Sequence, residues 1–169
     1  MRCFIAAWPD VATRVALQRK VEALQFRVPR ARAMQPRNFH LTLAFIGETD
    51  AVKAAALARD CRDLERDTVD WSVDCLGWFP RARVAWAGGL VTETLAIEVS
   101  RVRARLDELG TSYDRRPFVP HVTLFRDVRQ FDCSGALAEP VHWRTVQVAL
   151  YAATRDERGP LYRRIEATP

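Results

Sequence analysis

Two of the three histidines in the chain occupy the same tetrapeptide: His40-Leu41-Thr42-Leu43 and His121-Val122-Thr123-Leu124. An imidazole, with an unperturbed pKa of about 6.5, can take or give a proton near neutral pH. Both tetrapeptides lie in short apolar runs that read as β-strands, where side chains at i and i+2 share a face. Each copy therefore presents an imidazole beside a hydroxyl, while Leu41, Leu43, Val122 and Leu124 turn the other way, toward a core. Two such units facing one another would surround one small anion with two titratable rings and two hydroxyl donors. One neutral imidazole would take a proton from water or a ribose hydroxyl. The other, protonated, would give one to the departing alkoxide, each step being worth about 10²–10⁴-fold. The hydroxyls of Thr42 and Thr123 would donate to non-bridging oxygens as charge builds up on phosphorus. This is equipment for phosphoester hydrolysis. The scheme needs no metal, and neither histidine belongs to an H-x-H or H-E-x-x-H arrangement.

A lone histidine on a strand is usually a hydrogen-bonded structural residue, so the weight rests on the repetition. Each copy follows a proline-containing loop (Gln35-Pro36-Arg37-Asn38; Arg116-Pro117-Phe118-Val119-Pro120), and each closes a strand–helix pattern of nearly equal length. His40 follows Phe4 by 36 positions and His121 follows Val84 by 37. The expectation is an α+β fold of two pseudo-symmetric lobes, each an antiparallel sheet flanked by helices, with a groove between them. Grooves between lobes are common active sites.

The elements that must hold these groups follow from periodicity and caps. Strands are expected at 2–8, 39–46, 69–77, 83–87 and 119–128. A further strand pair, 145–153 and 161–166, would be joined by the turn Asp156-Glu157-Arg158-Gly159-Pro160. Helices are expected from Pro9-Asp10 to about Arg27, from a Thr49 or Asp50 cap through 51 to about 65, and from 92 to 109. Gly110 would close the last as a C-cap. Arg126, at the end of the second motif strand, reads either as a phosphate clamp or as a surface charge paired with Asp127 or Asp114. Phe45, Phe118 and Phe125 read as core or groove wall. His142 has no threonine partner and no strand context, which makes it surface or structural.

Composition sets the bounds. At 169 residues and 49% hydrophobic, the chain is expected to form one domain, 1–169, with a sizeable core. No apolar run approaches the roughly 18 residues that cross a bilayer. The apolar start at 3–8 is too short for a signal peptide and no cleavage site follows, so a cytoplasmic location is expected. Cys3, Cys61, Cys75 and Cys133 are scattered without metal-ligand spacing, so reduced thiols are expected and a zinc site or disulfide framework is not. Net charge is +5, and of the 26 basic residues only Lys20 and Lys53 are lysines. Arginine offers a planar fork that suits phosphate. The basic balance points weakly toward a polyanionic partner.

At these residues the chain resembles the two-histidine phosphoesterase superfamily, whose members carry two His-x-Thr/Ser-apolar motifs. Within it, NFHLTLAFIGE and RPFVPHVTLFRD are similar to RNA 2′,3′-cyclic phosphodiesterases of the LigT type. RCFIAAWP, GWFPRARVAWAG and VALYAATRDERGPLYRRI extend the likeness over essentially the whole chain. The tail Glu166-Ala167-Thr168-Pro169 departs from it, since relatives often end in an aromatic-rich segment. The resemblance implies hydrolysis of a terminal ribonucleoside 2′,3′-cyclic phosphate to a 2′-phosphate, without cofactor or metal. It implies His40 as proton donor to the leaving 3′ oxygen and His121 as the acceptor that activates water. Thr42 and Thr123 would support them, Arg126 would bind the phosphate, and Phe45 would lie near the base. Strict alternation puts Phe45 on the opposite face from His40, so that role needs a bulge. Reverse 2′,5′ joining of RNA ends is a further implied activity. Substrates would be RNA ends or small cyclic nucleotides, met by a monomer away from any membrane. The competing readings are a non-catalytic RNA-end or nucleotide binder, and a phosphodiesterase for ADP-ribose cyclic phosphate or 2′,5′-oligonucleotides. The loops at 27–38 and 113–120 would decide between substrates.

Overall fold

The computed structural model describes residues 1–66, 69–156 and 159–166. In chain order the elements are β1 (Arg2–Pro9), α1 (Val11–Leu24), β2 (Arg32–Ala33), β3 (Leu41–Glu48), α2 (Ala51–Asp60), β4 (Asp70–Phe79), β5 (Val84–Gly88), α3 (Glu93–Glu108), β6 (His121–Arg126), β7 (Gly135–Asp156) and β8 (Gly159–Arg164). All strand pairs are antiparallel. The strand order is β2-β6-β5-β4-β7-β1-β3, with β8 on β7. The α+β expectation holds.

The lobe repeat is visible in the pairing. In one half β1 lies beside β3, and in the other β5 lies beside β6, each pair joined through a helix. The sheets of the two halves share one strand, however. The 22-residue β7 runs through both, pairing with β4 near its start and with β1 and β8 later. Sequence periodicity located only the second part of this strand, because Pro140 breaks the pattern of the first. Pro140 is accommodated by an irregularity: Cys75 faces Ala136 while Val73 faces Val141, so four residues on β7 oppose one on β4. Proline lacks an N–H for a ladder and is tolerated at such bulges. His142 therefore does lie on a strand, opposite Ser72, although it is exposed as expected.

The helices start where the sequence placed them, and each start is capped. Asp10, Asp50 and Thr92 each accept the N–H of the third residue on, at Thr13, Lys53 and Leu95. Asp50, not Thr49, is the cap of α2. Two helices end early: α1 gives way to a 3₁₀ turn at Gln25–Arg27, and α2 to another at Arg62–Arg66. The helices also cross between halves. α1 packs on β1 and β7 and reaches β6, whereas α3 packs on β4 and reaches β3. Each helix thus braces the motif strand of the opposite half, and β3 and β6 touch one another. One core runs through both halves, and Leu41, Leu43, Val122 and Leu124 are all buried in it. Among the described residues no helix is long and apolar enough to cross a membrane. All four cysteines are free, Cys3 and Cys61 being buried. Of the expected final turn, Glu157 and Arg158 lie outside the described residues, as do 167–169 of the tail.

Candidate active site

His40 sits just before β3 and His121 opens β6, each half-buried. Thr42 and Thr123 are half-buried while the residues between and after are buried, the alternation a two-faced strand requires. In both copies the ring is held by its own backbone. His40 Nδ1 lies 2.7 Å from the Asn38 carbonyl oxygen, and His121 Nδ1 lies 2.8 Å from that of Val119. A carbonyl can only accept, so Nδ1–H is the donor in each case and Nε2 is left as the titrating atom. The proline-bearing loops ahead of the motifs thus fix tautomer and ring direction.

The two rings influence each other. The pKa of His40 is pushed down to about 4, first by burial and then by the positive charges of His121 and Arg126, against a rise from the Asn38 bond. That of His121 is lowered too, by burial and then by Arg126, against a rise from the Val119 bond. Arg126 therefore acts on both imidazoles and belongs to the same constellation. It pairs with neither acid considered from sequence: Asp127 pairs with Arg32, and Asp114 with Arg116. Instead Arg126 Nη2 donates to the Tyr162 hydroxyl at 3.5 Å, a long bond, and its buried Nε makes no hydrogen bond. A buried guanidinium donor without an acceptor is costly unless an anion completes it.

Aromatic rings wall the two histidines differently. Trp8 stacks on His40 (4.9 Å, 11°), Phe4 lies at 5.1 Å, and Tyr162 meets it edge-on at 4.8 Å. Trp8 is backed in turn by Tyr151 at 3.8 Å. His121 meets Phe79 edge-on at 5.0 Å and Trp86 at 6.2 Å. Trp86 lies over Gly77 and Gly88, where any Cβ would collide with its ring.

Phe45 does share a face with this cluster. The β1–β3 register slips between Cys3 and Phe4 and again between Ile5 and Ala6, which sets Phe45 opposite Phe4. It packs beside Phe4, Tyr151 and Tyr162, under the Arg2 guanidinium at 5.1 Å. The bulge that its role demanded is present. Phe125 is fully buried and Phe118 packs against the core, so both are structural.

Sequence reasoning missed Phe4, Trp8, Tyr162, Phe79 and Trp86. Phe4 and Trp8 stand at i and i+4 of one strand, a same-face signal that was available. Tyr162 comes from the far end of the chain, and no local pattern connects it to His40. Among the described residues, no group of three or more His, Cys, Asp or Glu side chains is placed to hold a metal ion.

Comparison with known proteins now adds its weight. The family model described as LigT like Phosphoesterase matches residues 11–86. The RNA 2′,3′-cyclic phosphodiesterase of Thermotoga maritima is 30% identical over 96% of this chain and 92% of its own length. The chain belongs to the LigT-like phosphoesterases. The RNA 2′,3′-cyclic phosphodiesterase of Escherichia coli is likewise 30% identical, over 83% of each chain. Among solved structures, E. coli LigT complexed with 3′-AMP superposes with a TM-score of 0.79 at 25% identity, covering 98% of this chain and 95% of that one. TT0787 of Thermus thermophilus gives 0.77 at 25% identity, covering 98% and 96%. The two-histidine motifs, read first from spacing, are thus set in a LigT-like phosphoesterase.

Proposed function

We propose that this LigT-like phosphoesterase hydrolyses ribonucleoside or RNA 2′,3′-cyclic phosphate ends to 2′-phosphates. The observation that carries the reading is the pair of backbone-clamped imidazoles, electrically coupled to each other and to Arg126. His121, its neutral Nε2 free, takes the proton from water as the oxygen attacks phosphorus. His40 gives a proton to the departing 3′ oxygen. Thr42, Thr123 and Arg126 hold the non-bridging oxygens as their charge grows, and Phe45 lies against the terminal nucleoside. The names of the curated relatives support this substrate class.

A donor with a pKa of about 4 is deprotonated at neutral pH in the empty site. The phosphodiester brings a negative charge between the rings, and an opposite charge nearby favours the protonated imidazole. Substrate binding thereby loads the acid. Joining of RNA ends through a 2′,5′ linkage uses the same groups in the same roles, an RNA 5′-hydroxyl taking the place of water as the P–O3′ bond breaks. Two titratable rings argue against a mere binder, which has no need of them.

The test is incubation with adenosine 2′,3′-cyclic phosphate in EDTA, with the position of the product's phosphate determined. Metal-independent release of the 2′-phosphate is expected. Complete loss in EDTA, restored by a divalent ion, would falsify the metal-independent mechanism; a 3′-phosphate product would contradict the assigned leaving group.

A further inference from the structure

An open pocket of about 490 Å³ lies against Tyr162, and three arginines line it: Arg2, Arg32 and Arg126. Tyr162 forms the wall they share with the catalytic centre, its ring against His40 and its hydroxyl toward Arg126. Arg32 stands directly opposite Arg126 in the β2–β6 pair. Like charges in that position are destabilising in a sheet. The Nε atoms of both are buried without a hydrogen-bond acceptor. Arg32 Nε is 3.4 Å from Asp127 Oδ2, an ion pair lacking hydrogen-bond alignment, and that carboxylate is mostly exposed. The chain then closes on Arg32 from a third side. Gly159, at φ +116°, approaches so nearly that a Cβ there would come within 3.1 Å of Arg32 Nη1. Arg2 reaches in from the other half. Glu48 is the acid of the lining, and it is paired with Arg2 at 4.0 Å.

Two opposed guanidinium groups held together with unmet donors are an anion site awaiting its anion. We propose that this pocket binds the phosphate on the 5′ side of the terminal nucleoside, whether an internucleotide diester or a free 5′-phosphate. The inference rests on the cyclic-phosphate reading of the adjoining centre, and it specifies the substrate as one with a second phosphate. Arg126 bridges the two sites, while Arg32 and Arg2 serve the pocket. The loop at 27–38, expected to govern substrate choice, does so by delivering Arg32.

The experiment is calorimetric binding of three probes that cannot turn over: adenosine 3′-phosphate, adenosine 3′,5′-bisphosphate and the dinucleotide ApAp. Wild type is compared with Arg32→Gln and, as a variant from the other half, Arg2→Gln. At least one probe with a 5′-side phosphate is expected to bind wild type about tenfold tighter than adenosine 3′-phosphate, as a charge-assisted contact allows. Which of the two gains more tells which phosphate the pocket takes. Arg32→Gln should remove most of that gain, Arg2→Gln a smaller part, with the Kd for adenosine 3′-phosphate within about twofold of wild type. Equal affinity of all three probes for wild type, or an equal loss on all three in both variants, overturns the proposal. Turnover of adenosine 2′,3′-cyclic phosphate is measured in parallel. Its absence alongside the selective binding pattern would fell the reaction and leave the pocket standing. Its presence without the pattern would do the opposite.

Discussion

His40 and His121 share a tetrapeptide, a backbone clamp from the residue two before, and a buried apolar backing, yet they stand in different company. Around His40 the rings of Trp8, Phe4 and Tyr162 close in, and its pKa falls to about 4. Around His121 there are Phe79 and, farther off, Trp86, and its pKa is lowered without so large a departure. Identical motifs are thereby made unequal by their neighbours. A pKa of about 4 does not by itself make His40 the acid: the proposed role requires the negative charge of bound phosphodiester to raise it. The local sequence supplies two titratable rings, and their surroundings set how each one titrates.

The largest effects should come from the rings themselves. His40→Ala and His121→Ala are each expected to cut kcat by about 10²-fold or more with the fold intact by circular dichroism. The double variant should be little worse than the worse single one, because acid and base act as a unit. Near-normal turnover in either single variant would remove that residue from the pair.

The oxyanion groups come next. Thr42→Val and Thr123→Val keep the β-branched shape and delete a hydroxyl, and Arg126→Lys replaces a fork by a point charge. Each should cost roughly 1.5–3 kcal/mol of transition-state stabilisation, read from kcat/KM, without moving the limbs of the pH profile. A shifted pH limb in the threonine variants would mean that they tune the histidines and do not hold phosphate.

A subtler consequence of the comparison lies in pH. Both imidazoles have lowered pKa values in the free protein, so both are neutral at pH 7, while turnover needs one proton between them. The singly protonated form grows as pH falls below about 6.5 and is lost once both rings are charged near pH 4. The maximum of kcat/KM, which reports the free enzyme, should therefore lie on the acid side of 6.5. The maximum of kcat should lie higher, because bound phosphate raises both values. Coincident maxima above pH 7 would refute substrate loading of the acid.

The smallest expected effect concerns Tyr162→Phe. It removes only the long bond to Arg126, a loss of about 0.5–1.5 kcal/mol at most, measured in KM for the cyclic phosphate. No change would leave Tyr162 as packing for His40.

The comparison also marks what sequence could tell. His40, Thr42, His121 and Thr123 were legible because they repeat and because period two sets their faces. The three helix starts were legible because Asp10, Asp50 and Thr92 are local caps. Pro140 hid half of β7, since the bulge that tolerates it exists only once β4 is alongside. Arg32 lay in a loop rich in arginine and proline, and its two-residue strand has no periodicity to detect. Trp8 and Tyr162 meet at His40 from opposite ends of the chain, which only the tertiary fold brings about. Phe45 is the instructive middle case: alternation put it on the wrong face, and a register slip put it back.

The unequal roles can be tested by changing the leaving group. In a 2′,3′-cyclic phosphorothiolate with sulfur at the 3′ position, the departing thiolate needs no proton. The account predicts that His40→Ala regains most of its lost kcat on this substrate while His121→Ala does not. Rescue of His121→Ala instead, or of neither variant, would contradict the assignment of His40 as the acid and His121 as the base.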